Sequence, residues 1–253
     1  ATYSRNMPAA DMTIGDITKI NAASLPDSDV LDGSPPCQAF STSGNLRLDE
    51  RADLFNDYLR IADAKRPKVL VAENVAGLIR GHSKGRFMEI QADFKKLGYQ
   101  VAVRVLDAQW LGVPQARRRL IWIATREDMP EPVHPKPFGP RITAAQAFKG
   151  MRQDEVERRR LLELGRKYKT HQMWSMLKPG AVGYTVMGPN QAFNAIKLHP
   201  GKPSPTIVAF EVSPGAYGLF HWAEPRKLTL PELRRLCSFP DDFWLPSMGD
   251  KEK

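Results

Sequence analysis

The chain has 253 residues, enough for one large domain or for a domain with a smaller appendage. With 42% hydrophobic and 26% charged residues it belongs among ordinary globular proteins, which excludes disordered, collagen-like and disulfide-stapled classes. Lys and Arg number 37 against 28 Asp and Glu, a formal charge of +9 that suits a polyanionic partner once the charge is shown to be clustered. The two cysteines, Cys37 and Cys237, cannot build a disulfide framework or a closed zinc site, so a cytosolic chain without a metal centre is expected. Residues Ala1 to Asp11 lack the basic and apolar regions of a signal peptide, and no apolar run approaches the length of a bilayer span. The opening Ala-Thr-Tyr-Ser-Arg reads as mid-domain sequence, so an incomplete chain is expected.

Val30-Leu31 runs into Gly33-Ser34-Pro35-Pro36-Cys37, a strand stopped by residues that cannot continue it. Asp53 to Ala64 carries Leu54, Phe55, Tyr58, Leu59 and Ile61 at helical spacing and stops before Arg66-Pro67. Val69 to Ala72 predicts a strand buried on both faces of a parallel sheet, with Glu73-Asn74 at its end. Phe87, Ile90, Phe94 and Leu97 mark a second amphipathic helix closed by Gly98. Gln100 to Leu106 and Leu120 to Ala124 predict antiparallel neighbours, because the loop between them is too short for a helical crossover.

Five prolines between Met129 and Pro140 forbid a regular element and predict a boundary there. Beyond it come a charged helix over Asp154 to Tyr168 and an irregular, partly β stretch from about 170 to 225 that is rich in Gly and Pro. Thr229-Leu-Pro-Glu232 then forms a capping-box pattern, with Leu233 and Leu236 on the helix face that follows. Cys237, next to Leu236, reads as core.

Three loops are expected at the C-terminal ends of predicted strands, the edge at which open α/β sheets usually bind ligands. They are Pro35-Pro36-Cys37-Gln38, Glu73-Asn74-Val75 and Gln115-Ala116-Arg117-Arg118-Arg119. A lone cysteine is more often an inert hydrophobe than a nucleophile. Cys37 departs from that average because two prolines stiffen its loop, and an exposed thiol near cations supplies a thiolate. A partly desolvated strand-end carboxyl such as Glu73 can donate to a ring nitrogen near neutrality. The arginines read alone as a solvated patch, and on the same rim as forked donors to carbonyl or phosphate oxygens.

Together, in this order, the segments resemble the C5-cytosine DNA methyltransferase family. Its Pro-Cys-Gln motif matches Pro36-Cys37-Gln38, its Glu-Asn-Val motif Glu73-Asn74-Val75, and its Gln-x-Arg-x-Arg motif Gln115, Arg117 and Arg119. Gly15-Asp16-Ile17 is similar to the family's adenine-pocket motif, and Arg226 to Pro240 to its penultimate motif. The resemblance implies an α/β, Rossmann-like S-adenosylmethionine-dependent core, here incomplete, with a smaller inserted target-recognition lobe. The expected division is 1–135 for the core, 136–225 for the recognition domain and 226–253 for the return to the core.

The resemblance further implies that Cys37 attacks C6 of a cytosine flipped out of duplex DNA, that Glu73 serves N3, and that Asn74, Arg117 and Arg119 support the base and the nucleophile. Asp16, Ile17, Pro36 and Leu54 match cofactor positions. Gln38, Ser41, Ser43, Arg47, Gln115 and Thr206 are the expected DNA contacts, Ser43 as the residue that fills the gap left by the flipped base and Thr206-Ile207 as a Thr-aliphatic pair of the recognition lobe. A Phe-x-Gly-x-Gly cofactor loop with its acidic ribose-binding residue and a C-terminal Gly-Asn motif are missing. The expectation is therefore a fragment, or one subunit whose partner polypeptide supplies those motifs. The rivals are a degenerate DNA-binding homologue without catalysis and an RNA cytosine methyltransferase. The expected setting is a cytoplasmic, nucleoid-associated member of a restriction-modification system.

Overall fold

The computed structural model describes residues 2–35, 54–167, 170–188, 192, 194–208 and 218–246. In chain order these form α1 (Thr2–Asn6), β1 (Val30–Gly33), α2 (Leu54–Lys65), β2 (Val69–Val75), α3 (Lys84–Lys96), β3 (Tyr99–Asp107) and β4 (Arg118–Arg126). They continue with α4 (Ala144–Phe148), α5 (Glu155–Lys167), α6 (Thr170–Met176), α7 (Tyr184–Met187), β5 (Ile196–Lys197), β6 (Leu219–Phe220) and α8 (Leu230–Leu236). The chain folds as two compact units. One holds Thr13–Asp107 and Arg118–Lys136, the other Ala1–Met12, Ala108–Arg117 and Pro137–Lys253.

The first unit is an α/β layer built on a four-stranded sheet in the order β1-β2-β4-β3. β1 runs parallel to β2, while β4 is antiparallel to both β2 and β3. On one face Leu70 and Ala72 of β2 and Leu120, Trp122 and Ala124 of β4 pack under Phe55, Tyr58, Leu59 and Ala62 of α2 and under Ile90 and Phe94 of α3. The alternation follows from the pleat, which sends successive side chains to opposite faces.

Two expectations need correction. β2 is parallel on one side only, and its residues alternate between half-buried and buried rather than being buried on both faces. The strand also continues through Glu73, Asn74 and Val75, which pair with Ile121, Leu120 and Arg119 and so are not a loop. The strand outlasts its apolar run because β4 supplies ladder partners to its end. The two amphipathic helices, the Gly98 turn with φ +76 and the antiparallel β3-β4 pair are present as expected.

Gly33 closes β1 under the ring of Tyr58. A Cβ there would lie 2.5 Å from a Tyr58 ring carbon, so only glycine lets the ring lie flat on the strand. The Tyr58 hydroxyl donates to the carbonyls of Leu31 at 3.1 Å and Val71 at 2.9 Å, tying β1 to β2 just before the Pro35-Pro36-Cys37 segment. Burial, with the Asp32 carboxylate nearby, pushes the phenol well above its ordinary pKa and keeps it a donor.

In the second unit α8 begins with the expected capping box, Thr229 accepting from Glu232 N and Glu232 accepting from Thr229 N, with a proline in its first turn. Glu232 does more than cap. It is fully buried and takes a two-pronged ion pair from Arg226, both contacts at 2.8 Å, while Gln153 donates to it at 3.2 Å. Burial opposes the charged carboxylate, but the Arg226 hydrogen bonds and charge win and hold its pKa below the usual range. Arg158 and Arg226 both clamp Glu224, whose carboxyl is pulled down to about 2 chiefly by the Arg158 hydrogen bond. Among the described residues, the stretch from 170 to 225 contributes α6, α7 and the two-residue strands β5 and β6 as regular elements. Among the described residues no helix is long and apolar enough to cross a membrane.

Candidate active site

The rim of the first unit at the C-terminal ends of β1 and β2 gathers part of the expected constellation. β4 runs antiparallel to β2, so its first residues arrive at the rim where β2 ends. Val75 pairs with Arg119 and Glu73 with Ile121, which puts Glu73 and Arg119 on one face as a diagonal cross-strand pair. Arg119 Nε lies 2.5 Å from Glu73 Oε1, with the side chains 21% and 29% exposed and therefore open to a ligand on that face. A second nitrogen of Arg119 donates to the Arg118 carbonyl at 2.9 Å, fixing the plane of the guanidinium.

Asn74 points the other way, into the buried face, and is 6% exposed. Its Oδ1 accepts from Val75 N at 2.8 Å and its Nδ2 donates to the Pro35 carbonyl at 3.4 Å. The Asn side chain thus orients the backbone one residue before Pro36. Cys37, with Pro36, Gln38, Ser41, Ser43 and Arg47, lies outside the described residues.

Of the expected cofactor residues, Asp16, Ile17 and Leu54 belong to the same unit. Asp16 caps a 3-10 turn, Ile17–Lys19, accepting from Thr18 N at 3.1 Å and from Thr18 Oγ at 2.9 Å. Those hydrogen bonds, with a smaller contribution from the Lys19 charge, hold its carboxyl below the usual range. Arg60 of α2 anchors the turn by donating to the carbonyls of Ile17 at 2.8 Å and Ile20 at 2.9 Å. Leu54 is the first residue of α2 and, like Ile17, is half-buried. The half-exposed Asp16 carboxylate, with Ile17 next to it in the chain, has the chemistry to accept from the amine edge of an adenine. Among the described residues nothing comparable fits the methionine end of S-adenosylmethionine.

Gln115, Arg117 and Thr206 belong to the second unit. Gln115 is 3% exposed, and both ends of its amide are engaged within the protein. Its Oε1 accepts from Ile207 N at 3.2 Å, and its Nε2 donates to the Leu236 carbonyl at 3.3 Å and to Cys237 Sγ at 3.7 Å. Thr206 Oγ donates to the Ala116 carbonyl at 2.8 Å. Arg117 is half-buried, and its charge acts on Cys237, whose thiol burial pushes up above its ordinary pKa. The sequence signalled Gln115 through its motif, but the three arginines after it suggested a solvated loop. Arg226 and Glu232 stood in a quoted motif with no role; a buried pair six residues apart gives no sign in periodicity.

Comparison with known proteins gives the family. The family profile described as C-5 cytosine-specific DNA methylase matches residues 1–252. Type II methyltransferase M.NgoFVII of Neisseria gonorrhoeae is 34% identical over 251 residues, covering 90% of this chain and 66% of that protein. Type II methyltransferase M.NlaX of Neisseria lactamica is 31% identical over 249 residues, covering 97% of this chain and 75% of that protein. Among solved structures, a prophage-encoded DNA modification methyltransferase from E. coli superposes with a TM-score of 0.70 at 20% identity, covering 96% of this chain and 80% of that one. The DNMT2 E260A/E261A/K263A mutant of Spodoptera frugiperda gives 0.63 at 15% identity, covering 98% and 80%. These two likenesses show the shared Rossmann-like fold. The chain belongs to the C-5 cytosine-specific DNA methylase family, that of the DNA (cytosine-5-)-methyltransferases.

Proposed function

We propose that this chain carries the catalytic core of an enzyme that methylates C5 of cytosine flipped out of duplex DNA. The observation that supports the reading most is the rim arrangement: Glu73 and Arg119 paired on one face of β2 and β4, and Asn74 bonded to Pro35 just upstream of Pro36-Cys37. Cytosine C5 is a poor nucleophile until a thiolate adds to C6. Cys37 forms that C6–Sγ bond, and Glu73 hydrogen-bonds N3 so that the charge gathering on the ring is absorbed. Arg119 orients Glu73 and presents further N–H donors to the base oxygen. Asn74 holds the Pro35 end of the nucleophile's loop, and Arg117 would serve as a supporting arginine.

Bound S-adenosylmethionine supplies the methyl group for C5. Asp16, Ile17 and Leu54 would hold its adenine end, with Pro36 against the remainder. Gln38, Ser41, Ser43 and Arg47 would face the DNA, Ser43 entering the stack in place of the flipped base. Residues 1–135 and 226–253 would serve the chemistry, and 136–225 would read bases through the major groove. The glycine-rich loop and Gly-Asn motif needed for a full cofactor pocket would come from further polypeptide, in the same chain or in a second one. A cytoplasmic, nucleoid-bound role in restriction-modification suits this reading.

The test is methyl transfer from labelled S-adenosylmethionine to unmethylated duplex DNA by the full-length protein, with tRNA as the comparison. Transfer to duplex DNA that Cys37→Ala abolishes while DNA affinity stays within about threefold supports the reading. DNA binding with no transfer and no cofactor binding would replace it with a non-catalytic DNA-binding role.

A further inference from the structure

The turn that carries Asp16 and Ile17 is held within the first unit chiefly by polar bonds from α2. Among the described residues from Asp11 to Val30, Ala22 alone is buried, with Ile17, Ile20 and Leu25 half-buried, so apolar packing gives this stretch little hold. Arg60 of α2 donates from one terminal nitrogen to the Ile17 carbonyl at 2.8 Å and from the other to the Ile20 carbonyl at 2.9 Å. Asp57, one turn earlier on the helix, accepts from Arg60 Nε at 3.1 Å and fixes the plane of the fork. Lys65 treats the next 3-10 turn, Ala22–Ser24, in a similar way, donating to the Ala23 carbonyl and to Asp27, both at 3.1 Å.

The two carbonyls that Arg60 takes lie at the two ends of the turn Ile17–Lys19. The turn's own bonds are Lys19 N to the Asp16 carbonyl at 3.0 Å and Ile20 N to the Ile17 carbonyl at 3.3 Å. A single 3-10 turn is marginal by itself, so its shape depends on what braces it. In this shape Asp16 Oδ1 accepts both Thr18 bonds, while Oδ2 stands 3.9 Å from Lys19 Nζ, beyond hydrogen-bond distance. Oδ2 thus keeps its acceptor capacity for a ligand. Arg60 reaches the turn through its backbone, and a lysine is no full substitute, because an ammonium is a point donor where a rigid fork meets two carbonyls.

We propose that Arg60 is a positioning residue for cofactor affinity, bracing the Asp16 turn in the shape in which Asp16 can accept from the adenine of S-adenosylmethionine. Without the brace the turn samples other shapes. The apparent Kd then rises by the inverse of the fraction still competent, so a competent fraction near one tenth weakens binding about tenfold. Once the site is saturated the bound form is the same, and turnover is unaffected. This role rests on the proposed placing of the adenine end at Asp16 and Ile17.

The experiment is calorimetric titration of the full-length protein with S-adenosylmethionine, joined by kcat at saturating cofactor, DNA Kd and hydrogen exchange of the cofactor-free protein. Arg60→Met removes both carbonyl bonds, Arg60→Lys keeps the cation, Lys65→Met opens the neighbouring turn, and Asp16→Ala tests the adenine site itself. The brace predicts that Arg60→Met weakens the cofactor Kd at least about tenfold while kcat and DNA Kd stay within about twofold, with Arg60→Lys in between. Cofactor-free Arg60→Met should exchange its Lys19 and Ile20 amides faster than the parent, and Lys65→Met should leave the cofactor Kd within about twofold. Should Arg60→Met fail to fold, Arg60→Lys decides, with an expected weakening of at least about threefold. A cofactor Kd unchanged by the Arg60 variants but weakened by Asp16→Ala would overturn the role of Arg60 and leave the adenine site standing. Equal weakening by Lys65→Met and Arg60→Met would also overturn it, reducing Arg60 to general support of the stretch. A cofactor Kd unchanged by Asp16→Ala, or a parent that binds no S-adenosylmethionine, would overturn the adenine site and the role of Arg60 with it.

Discussion

Arg119 Nε lies 2.5 Å from Glu73 Oε1, across two antiparallel strands whose register sets Val75, not Glu73, opposite Arg119. The diagonal pairing lets one guanidinium orient the carboxyl while leaving further donors for a base. Replacing Glu73 by Gln keeps the shape and removes the charge. Turnover is expected to fall by about 100-fold or more while DNA affinity holds, as for loss of a group acting on the reacting ring. Single-turnover methylation rates with a filter-binding Kd check this, and an unchanged rate removes Glu73 from the chemistry.

Gly33 and Tyr58 yield a prediction about how the nucleophile's loop is held. A methyl group at position 33 would meet the Tyr58 ring at 2.5 Å, in a unit where that ring is buried and its hydroxyl bridges β1 and β2. Gly33→Ala is expected to cost about 1–3 kcal/mol as overpacking. It is also expected to lower methyl transfer more than its unfolded fraction explains, because Pro35 to Cys37 follow directly. Chemical denaturation and activity on the same sample separate the two losses.

The buried pair Arg226 and Glu232 predicts an asymmetry. Glu232→Gln takes the two-pronged partner from the 1%-exposed Arg226 guanidinium and leaves it the Glu224 contact, so the cost is expected below the about 3–5 kcal/mol of a fully broken buried pair. Replacing both at once, Arg226→Met with Glu232→Leu, is expected to be milder than the single change, since no uncompensated charge stays buried. Urea midpoints of the two variants against the parent test this, and a double variant worse than the single would contradict it.

The architecture was legible wherever periodicity and breakers act locally. Phe55, Tyr58 and Leu59 at helical spacing, Gly98 after Leu97, and the Thr229 to Glu232 capping box appear as expected. What sequence could not supply was register. That β4 brings Arg119 beside Glu73, and that β2 runs on through Val75, depends on pairing between strands far apart in the chain. Gln115 was recognised by its motif, but its burial against Ile207 and Leu236 depends on contacts roughly a hundred residues away. The stretch from 170 to 225 was hard to read because its strands are two residues long and carry no usable period. Of the expected DNA contacts, Gln38, Ser41, Ser43 and Arg47 lie outside the described residues.

Acid sensitivity should be centred on Glu224. Its carboxyl is held at about 2 in the folded chain against an ordinary 4.5, chiefly by the Arg158 hydrogen bond. A depressed folded pKa contributes stability that is complete above about 4.5 and is lost as pH falls towards 2. The contribution is on the order of 2 kcal/mol after allowing for solvent at a pair whose arginine side chain is 33% exposed. The stability gap between the parent and Glu224→Gln should therefore close between about pH 4.5 and pH 2. A gap constant over that range would show that the clamp does not carry it.

The most direct measurement concerns the bond between Cys37 and the cytosine ring. A duplex carrying 5-fluorocytosine at the methylated position, mixed with full-length protein and S-adenosylmethionine, cannot lose fluorine from C5 as it would a proton, so the C6–Sγ bond stays formed. The account predicts a denaturant-stable protein–DNA adduct whose crosslinked peptide contains Cys37, and none with Cys37→Ala. No adduct under conditions in which the cofactor binds, or an adduct at Cys237, would contradict it.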